Sequence, residues 1–182
     1  QKALIDELSQ EIAALDVPLP NAIVIGALGR VGTGAVGLCA ALGIPLTKWD
    51  IAETAGGGPF PEILAHTLFF NCILARPGSP IFSSLDVVRR DRALRVIGDI
   101  SCDPDSSYNP IPIYNKVTNW ATPASRVASV PPLDVMAIDN LPSLLPLESS
   151  EDFAGQLLPF LLELDTLDQS VWGRAEKTFD QH

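Results

Sequence analysis

Hydrophobic residues in the first sixteen positions recur every three or four residues, at Leu4, Leu8, Ile12 and Leu15. This spacing predicts an amphipathic helix over residues 1–16. The proline-rich stretch 17–20 then ends the helix. Such a helix either links to another domain or simply covers the sheet, and its pattern is compatible with both roles.

Beyond residue 20 the hydrophobic pattern becomes strand-like. Apolar runs of four to seven residues occupy 22–25, 46–50, 68–74 and 94–100. Runs of this length are typical of buried parallel strands. Helical patterns fall between them at 34–42, 61–66 and 84–92, and shorter strand fragments follow at 117–121, 128–130 and 135–138. This alternation predicts an α/β fold, Rossmann-like, with a doubly wound parallel sheet and helices on both faces.

A glycine-rich turn directly follows the first apolar run. Gly26, Gly29 and Gly32 are three residues apart, and Gly34 follows closely. A turn that approaches a pyrophosphate has no room for Cβ atoms at such positions. The helix that begins there directs free N–H groups at phosphates. The spacing G-x-x-G-x-x-G departs from the strict dinucleotide fingerprint, so a glycine-rich turn without a dinucleotide is the alternative.

An acidic residue closes the second apolar run. Asp50 lies 24 positions after Gly26, close to where a ribose-binding carboxylate follows this type of turn. The three glycines 56–58 come shortly after it. That loop folds over an adenosine or is simply mobile. Together these features predict a dinucleotide-binding domain over 21–147, preceded by a linking helix over 1–20. A C-terminal helical segment over 148–182 follows, with Pro159 as a kink.

Composition limits the partners that we expect. The net charge is −10, which argues against nucleic acid or an anionic membrane as a partner. A single dinucleotide stays compatible, because backbone amides and one or two cations can hold its phosphates. No apolar run is long enough for a membrane span and no signal peptide is visible. A small-molecule substrate is therefore the expected partner.

The cysteines bear on the cellular compartment, and neither they nor the histidines predict a metal site. Cys39, Cys72 and Cys102 lack C-x-x-C spacing, which predicts a reducing, cytoplasmic environment. His66 and His182 complete no recognised zinc pattern with them, so we expect no metal. Cys102 is interpreted as a buried thiol rather than a nucleophile, since no histidine accompanies it in sequence.

Three aspartates at predicted strand ends are candidates for acid–base chemistry. Asp99, Asp103 and Asp139 follow apolar runs whose carboxyl ends meet at one edge of a parallel sheet. The alternative is that they cap loops and helices. The sequence pattern leaves both interpretations open.

Several longer motifs occur in a fixed order over nearly the whole chain. They are 26–35 (GALGRVGTGA), 48–54 (KWDIAET), 57–60 (GGPF), 71–73 (NCI), 109–114 (NPIPIY) and 138–146 (IDNLPSLLP). In order and content they resemble NAD-dependent, L-lysine-forming saccharopine dehydrogenase. The closing stretch 172–182 is also similar to the near-terminal helix of that family.

The resemblance implies a set of site residues. Gly29 and Arg30 would contact the pyrophosphate, and Asp50 would hold the adenosine ribose, which favours NAD over NADP. Further cofactor positions would be Thr54, Leu74, Ile100, Ile138, Asp139, Asn140 and Leu141. The residues near the substrate would be Ser101, Cys102 and Asp103. Val31 replaces a family cysteine that can pair with Cys72, so that disulfide is not expected here.

The resemblance also implies a reaction. The family oxidises saccharopine to L-lysine and 2-oxoglutarate with reduction of NAD, in lysine biosynthesis by the aminoadipate route. Its lysine and histidine acid–base pair belongs to an amino-terminal domain and has no counterpart here, so the catalytic residues stay unknown. The chain opens at Gln1, so we expect a missing N-terminal domain or a partner chain. The alternatives are a non-catalytic NAD(H)-binding module and a related amino or keto acid reductase.

Overall fold

The computed structural model describes residues 1–166 and 170–182. The predicted C-terminal segment 148–182 includes residues 167–169, which lie outside the described residues. The chain divides into two compact units, one formed by residues 2–139 and the other by residues 140–182 together with Gln1. This division falls at 139/140, whereas the sequence pattern suggested a boundary at 147/148.

The larger unit is built on a six-stranded sheet with the order β2-β1-β3-β4-β6-β5. Its strands are β1 (Ala22–Ile25), β2 (Leu46–Trp49), β3 (Leu68–Asn71), β4 (Val96–Asp99), β5 (Ser125–Ser129) and β6 (Pro132–Met136). Its helices are α1 (Lys2–Ala14), α2 (Arg30–Ala41), α3 (Ile51–Thr54) and α4 (Leu85–Val88), with a 3-10 turn at Pro61–Ala65. The predicted α/β, Rossmann-like fold is confirmed.

The sheet is parallel except at one edge. β5 pairs with β6 in an antiparallel ladder, an edge that the predicted parallel sheet did not include. Only Val130 and Pro131 join the two strands, and a link of two residues permits a hairpin but not a crossover. The predicted strand at 117–121 is also absent, and a single bridge joins Thr118 to Ile138 in its place.

The two faces of the sheet are covered differently. On one face, α2 places Ala35 and Val36 against a small cluster containing Val24 and Cys72. The opposite face carries the main core, in which strand residues such as Ile23, Phe69, Ile97, Leu133 and Val135 are buried. Irregular segments and short helical turns cover that face, through residues such as Phe60, Ile63, Phe82 and Ile111. Rings of Trp49, Phe60 and Phe82 continue this packing toward the end of β2.

The helix predicted over 84–92 is much shorter in the structure. Helix α4 ends at Val88, and the Arg92 Nε donates a hydrogen bond to the Val88 carbonyl oxygen at 2.8 Å. Arg92 is buried and also donates to the Pro131 carbonyl oxygen at 2.5 Å. A cation that binds the last carbonyl groups of a helix stabilises its end, which accounts for the end of α4 at Val88.

The smaller unit contains α5 (Pro146–Leu161) and α6 (Val171–Phe179), with a 3-10 turn at Leu141–Leu144. Pro159 lies inside α5, whose helical assignment is continuous through it. The Trp172 Nε1 donates a hydrogen bond to the Phe160 carbonyl oxygen at 2.6 Å. This bond ties α6 to the last turns of α5.

The strand order creates a point where the chain reverses direction across the sheet. β1 pairs with β2 on one side and with β3 on the other. The connections that leave the carboxyl ends of these strands therefore diverge, and ligands of open parallel sheets lie in the crevice that results. A ligand site is therefore expected at the carboxyl ends of β1, β2 and β3.

Candidate cofactor site

A cleft of 670 Å³ opens at this point of the larger unit. Its size lies in the range typical of small-molecule sites. Its walls come from the glycine turn, the loop after β2 and the loop after β3. The lining residues with a bearing on chemistry are Gly26, Gly29, Asp50, Thr54, Leu74 and Arg76.

The glycine turn is built so tightly that two of its positions have no room for a side chain. Gly26 has φ of +84°, and a Cβ there would lie 2.9 Å from the backbone carbon and oxygen of Cys72. At Gly32 a Cβ would lie 1.9 Å from the carbonyl oxygen of Gly26. Glycine at these two positions lets α2 begin against the end of β1.

Gly29 marks the start of α2. It is the N-cap residue, with extended backbone angles, and its N–H donates to the Gly26 carbonyl oxygen at 3.1 Å. Because glycine has no side chain, it cannot cap the first N–H groups of the helix. Those groups, with the positive end of the helix dipole, form a site that suits a phosphate. Arg30, the first helical residue, is exposed beside them.

Asp50 is held in place by backbone and side-chain bonds at the end of β2. Its carboxylate accepts hydrogen bonds from the N–H of Leu28 and the N–H of Ile51, each at 2.9 Å. Glu53 Oε2 accepts the Asp50 N–H at 2.7 Å, which completes a capping box at the start of α3. The same capping box includes a bond from the Glu53 N–H to the Asp50 side chain, and a carboxylate with about four acceptor positions still has one left after three such bonds. The carboxylate is therefore fixed and still able to accept a hydroxyl group.

The predicted cofactor residues fall into three groups in the structure. Gly29, Asp50, Thr54 and Leu74 line the cleft, and Arg30 directly follows Gly29. The other cofactor candidates of the larger unit, Ile100, Ile138 and Asp139, lie at or just beyond the ends of β4 and β6. Asn140 and Leu141 belong to the smaller unit. All of these assignments stay predictions.

Residues of the loop after β3 also line the cleft, although sequence reasoning did not select them. They include Arg76, Gly78, Ser79 and Phe82. The Arg76 N–H donates to the Ser79 hydroxyl oxygen at 2.9 Å, which closes a tight turn. A basic residue in a strand-end loop was the available signal for Arg76, since such loops border the ligand in parallel sheets.

A buried polar group lies beyond the cleft, where β3 and β4 end. We call Asn71, Asp99 and Tyr114 the Asp99 cluster. Asp99 Oδ1 accepts a hydrogen bond from Asn71 Nδ2 at 2.8 Å, and Asp99 Oδ2 accepts one from the Tyr114 hydroxyl at 2.6 Å. The N–H of Cys102 also donates to Asp99 Oδ1, at 3.2 Å. Asp99 is fully buried, so it is not placed to exchange protons with a substrate.

The candidate substrate residues Ser101, Cys102 and Asp103 form the turn after β4. Cys102 is buried, has φ of +52° and donates from its thiol to the Ala137 carbonyl oxygen at 3.2 Å. Burial, followed by the charges of Asp99, Asp139 and Asp103, raises the pKa of the Cys102 thiol to about 11. The thiol is therefore neutral at physiological pH, which supports the interpretation of Cys102 as a buried residue rather than a nucleophile.

The His66 ring has a hydrogen-bonding partner within the protein at each of its nitrogens. His66 Nε2 lies 2.8 Å from the Thr47 hydroxyl oxygen, and its Nδ1 lies 3.1 Å from the Glu62 carbonyl oxygen. Among the described residues, no group of histidine, cysteine, aspartate or glutamate side chains could hold a metal ion. Over the same ranges, the helices are too short or too polar to cross a bilayer.

Sequence comparison identifies relatives of this chain. No protein-family model matches it. Saccharopine dehydrogenase [NAD(+), L-lysine-forming] of Candida glabrata is 48% identical over 170 residues, which cover 90% of this chain and 46% of that protein. The enzyme of the same name from Candida albicans is 45% identical over 183 residues, 97% of this chain and 48% of that protein.

A third relative of the same name, from Schizosaccharomyces pombe, is 47% identical over 169 residues, 88% of this chain and 46% of that protein. The chain thus spans about half the length of the curated relatives it matches. The resemblance inferred from the ordered motifs is confirmed. Over nearly its whole length, this chain is a homologue of about half of an NAD-dependent, L-lysine-forming saccharopine dehydrogenase.

Proposed function

We propose that this chain is the NAD-binding part of an oxidoreductase that cleaves saccharopine to L-lysine and 2-oxoglutarate. The secondary amine of saccharopine would lose a hydride from carbon and a proton from nitrogen, and water would hydrolyse the resulting imine to the two products. NAD, when bound, supplies the hydride acceptor. The three cysteines are free thiols, which supports a reducing compartment such as the cytoplasm.

The observation that carries the proposal is the position of Asp50 in the cleft. The carboxylate lies at the end of β2, and the glycine turn after β1 lines the same 670 Å³ space. In dinucleotide sites of this fold, the turn approaches the pyrophosphate and the acidic residue binds the adenosine ribose. The uncapped start of α2 at Gly29, held against the end of β1 by the close packing at Gly26 and Gly32, fits the pyrophosphate, and the Asp50 carboxylate fits the ribose.

The charges in the cleft support NAD over NADP. Among the described residues that line the cleft, Asp50 carries a negative side-chain charge and Arg76 a positive one. Asp50 would repel a 2′-phosphate on the adenosine ribose, whereas NAD has a free hydroxyl there. Arg76 and the start of α2 would offset the pyrophosphate charge.

The same lining gives a second candidate, a non-catalytic NAD(H)-binding module. No histidine or lysine is present among the described residues that line the cleft. Imine formation and hydrolysis need groups that move protons. The oxidoreductase proposal therefore requires acid–base groups that the lining of this cleft does not supply, and by the resemblance to the family they would come from a further domain or from a partner.

Calorimetry of this chain with NAD and with NADP tests the binding proposal. We expect NAD to bind and NADP to bind more weakly. Failure to bind NAD at millimolar concentration would refute the proposal, and tighter binding of NADP would refute the role of Asp50. NADH formation from saccharopine, measured for this chain alone and for a longer protein that contains it, then separates the two candidates. An active longer protein supports the oxidoreductase, and an inactive one supports the module.

A further inference from the structure

The Asp99 cluster lies in the main core of the sheet, among apolar residues. Asn71 and Asp99 are both 0% exposed. They are opposite each other in the register of β3 and β4, where Phe69 and Ile97 form the preceding pair on the same face. The three donors to Asp99 come from three separate segments, namely the end of β3, the turn after β4 and the irregular segment that contains Tyr114.

Folding stability alone does not account for this arrangement. Burial of a carboxylate and an amide costs desolvation free energy even when both are hydrogen-bonded, and apolar side chains of similar volume are often as stable or more so. Asn71 Oδ1 is buried and accepts no hydrogen bond from the described residues, which adds a further cost. Apolar side chains cannot accept hydrogen bonds. The Asp99 carboxylate accepts them from Asn71, Cys102 and Tyr114 and so holds these three residues in place.

The donor of most consequence is the N–H of Cys102. A φ of +52° is uncommon for a residue other than glycine and is strained unless the surroundings maintain it. The bond from the Cys102 N–H to Asp99 Oδ1, at 3.2 Å, and the bond from its thiol to Ala137 maintain it. Asp99 therefore fixes the turn 101–103.

The same cluster is joined to the wall of the cofactor cleft. Asn71 directly precedes residues 72–74, all of which line the cleft. The bond between Asn71 and Asp99 thus fixes the turn 101–103 relative to this wall. A dinucleotide with its ribose at Asp50 and its pyrophosphate at Gly29 would extend across β1 and β3, toward the end of β4.

We propose that Asp99 is a positioning residue for the nicotinamide half of the dinucleotide. Its carboxylate holds the turn 101–103 against the cleft wall at 72–74, and it does not touch the ligand itself. This inference rests on the proposed NAD-binding function. It distinguishes the two halves of one ligand, because the adenosine half would contact Asp50 and the glycine turn, which the Asp99 cluster does not hold.

The test compares two ligands on the same variant. ADP-ribose contains the adenosine and pyrophosphate of NADH but lacks the nicotinamide. In Asp99→Asn the new amide presents N–H groups to donors that need an acceptor. We expect calorimetry to show NADH affinity about tenfold lower, and ADP-ribose affinity within about twofold of the unaltered chain. Asp86→Asn is the matched control, because its side chain is 90% exposed on α4.

A milder variant and a second measurement cover the case in which Asp99→Asn does not fold. Tyr114→Phe removes one donor to Asp99 and should lower NADH affinity in the same direction by a smaller factor. Tyr108→Phe, at the chain's other tyrosine, is the control. In both cluster variants, alkylation of Cys102 followed by mass spectrometry should be about tenfold faster, while Cys39 on α2 should be unchanged.

The outcomes separate this inference from the proposed function. Equal losses of NADH and ADP-ribose affinity would show a general structural role and overturn the inference, as would unchanged NADH affinity in both variants. Equal affinity of the unaltered chain for the two ligands would also overturn it. If the unaltered chain binds neither, the proposed function fails. Cys102 alkylation then decides whether Asp99 holds the turn, and unchanged rates would reject that as well.

Discussion

The two ends of the candidate site use opposite kinds of structure. At the β1–β2 end, an open cleft is formed by glycine backbone, a helix start and the side chain of Asp50, which still has a lone pair to offer. At the β4 end, Asp99 is fully buried and accepts hydrogen bonds from three segments. One end offers groups to a ligand, and the other uses its polar groups within the protein.

This difference separates binding from positioning. The first end depends on the absence of side chains at Gly26 and Gly32, where any Cβ would collide with backbone. The second end depends on the presence of particular side chains in a core that could otherwise be apolar. Substitutions at the first end should therefore affect the fold or all dinucleotide binding, whereas those at the second should affect one half of the ligand.

The largest effect is expected for Gly32→Ala. A Cβ at Gly32 would lie 1.9 Å from the Gly26 carbonyl oxygen, whereas at Gly37 in the same helix no atom lies within 4 Å of the added Cβ. We expect Gly32→Ala to lose about 3 kcal/mol or more of unfolding free energy. Gly37→Ala should gain about 0.5–1 kcal/mol. Urea unfolding measures both, and equal stabilities would contradict the close packing of α2 on the turn.

The next effect is a change in cofactor preference for Asp50→Asn. Asparagine keeps the size of the side chain and is a good N-cap, so α3 should persist. Loss of the carboxylate charge should weaken NAD binding about tenfold and should not weaken NADP binding. Calorimetry with both dinucleotides gives the ratio directly. An unchanged ratio of NAD affinity to NADP affinity would show that Asp50 caps α3 and accepts the Leu28 N–H without binding the ribose.

Sequence reasoning located the features whose determinants are local. The glycine turn and Asp50 each lie close to a strand end, so spacing alone indicated residues that line the same cleft, and their roles toward a cofactor stay predictions. The antiparallel β5 was missed because the pairing of an edge strand depends on the length of its connection. Asp99 was recognised as a strand-end carboxylate, but its bond to Tyr114, 15 residues away, is set by how an irregular segment crosses the main core. No local pattern specifies such a contact.

A smaller effect on NAD affinity is expected at Arg76, in the open cleft. Its guanidinium is a cationic group in the cleft lining, and exposed charges contribute modestly to binding. Arg76→Ala should weaken NAD binding about threefold at low salt, with less loss at high salt because ions screen the interaction. Arg89→Ala, just beyond the end of α4 and with its side chain 75% exposed, is the control. A loss that does not depend on salt would indicate packing rather than charge.

The smallest effect concerns the buried thiol at the β4 end. The pKa of Cys102 is raised from its usual value of 9.0 to about 11, by burial and then by neighbouring carboxylates. Between these values the unfolded chain releases the thiol proton and the folded chain retains it. Its contribution to stability is therefore fully present below pH 9 and is lost as the pH rises toward 11.

Removal of that thiol should make stability less sensitive to pH. A full proton difference corresponds to about 1.4 kcal/mol per pH unit, so Cys102→Ala should flatten the decline of unfolding free energy above pH 9 by up to that slope. Alanine at a φ of +52° will lower the overall stability, but the slope is independent of this offset. Urea unfolding at intervals from pH 8 to about 10.5 measures it. Parallel curves for the variant and the unaltered chain would mean that Cys102 ionises as easily when folded as when unfolded. The turn after β4 would then be open to water, and the contrast between an exposed and a buried end of the site would be lost.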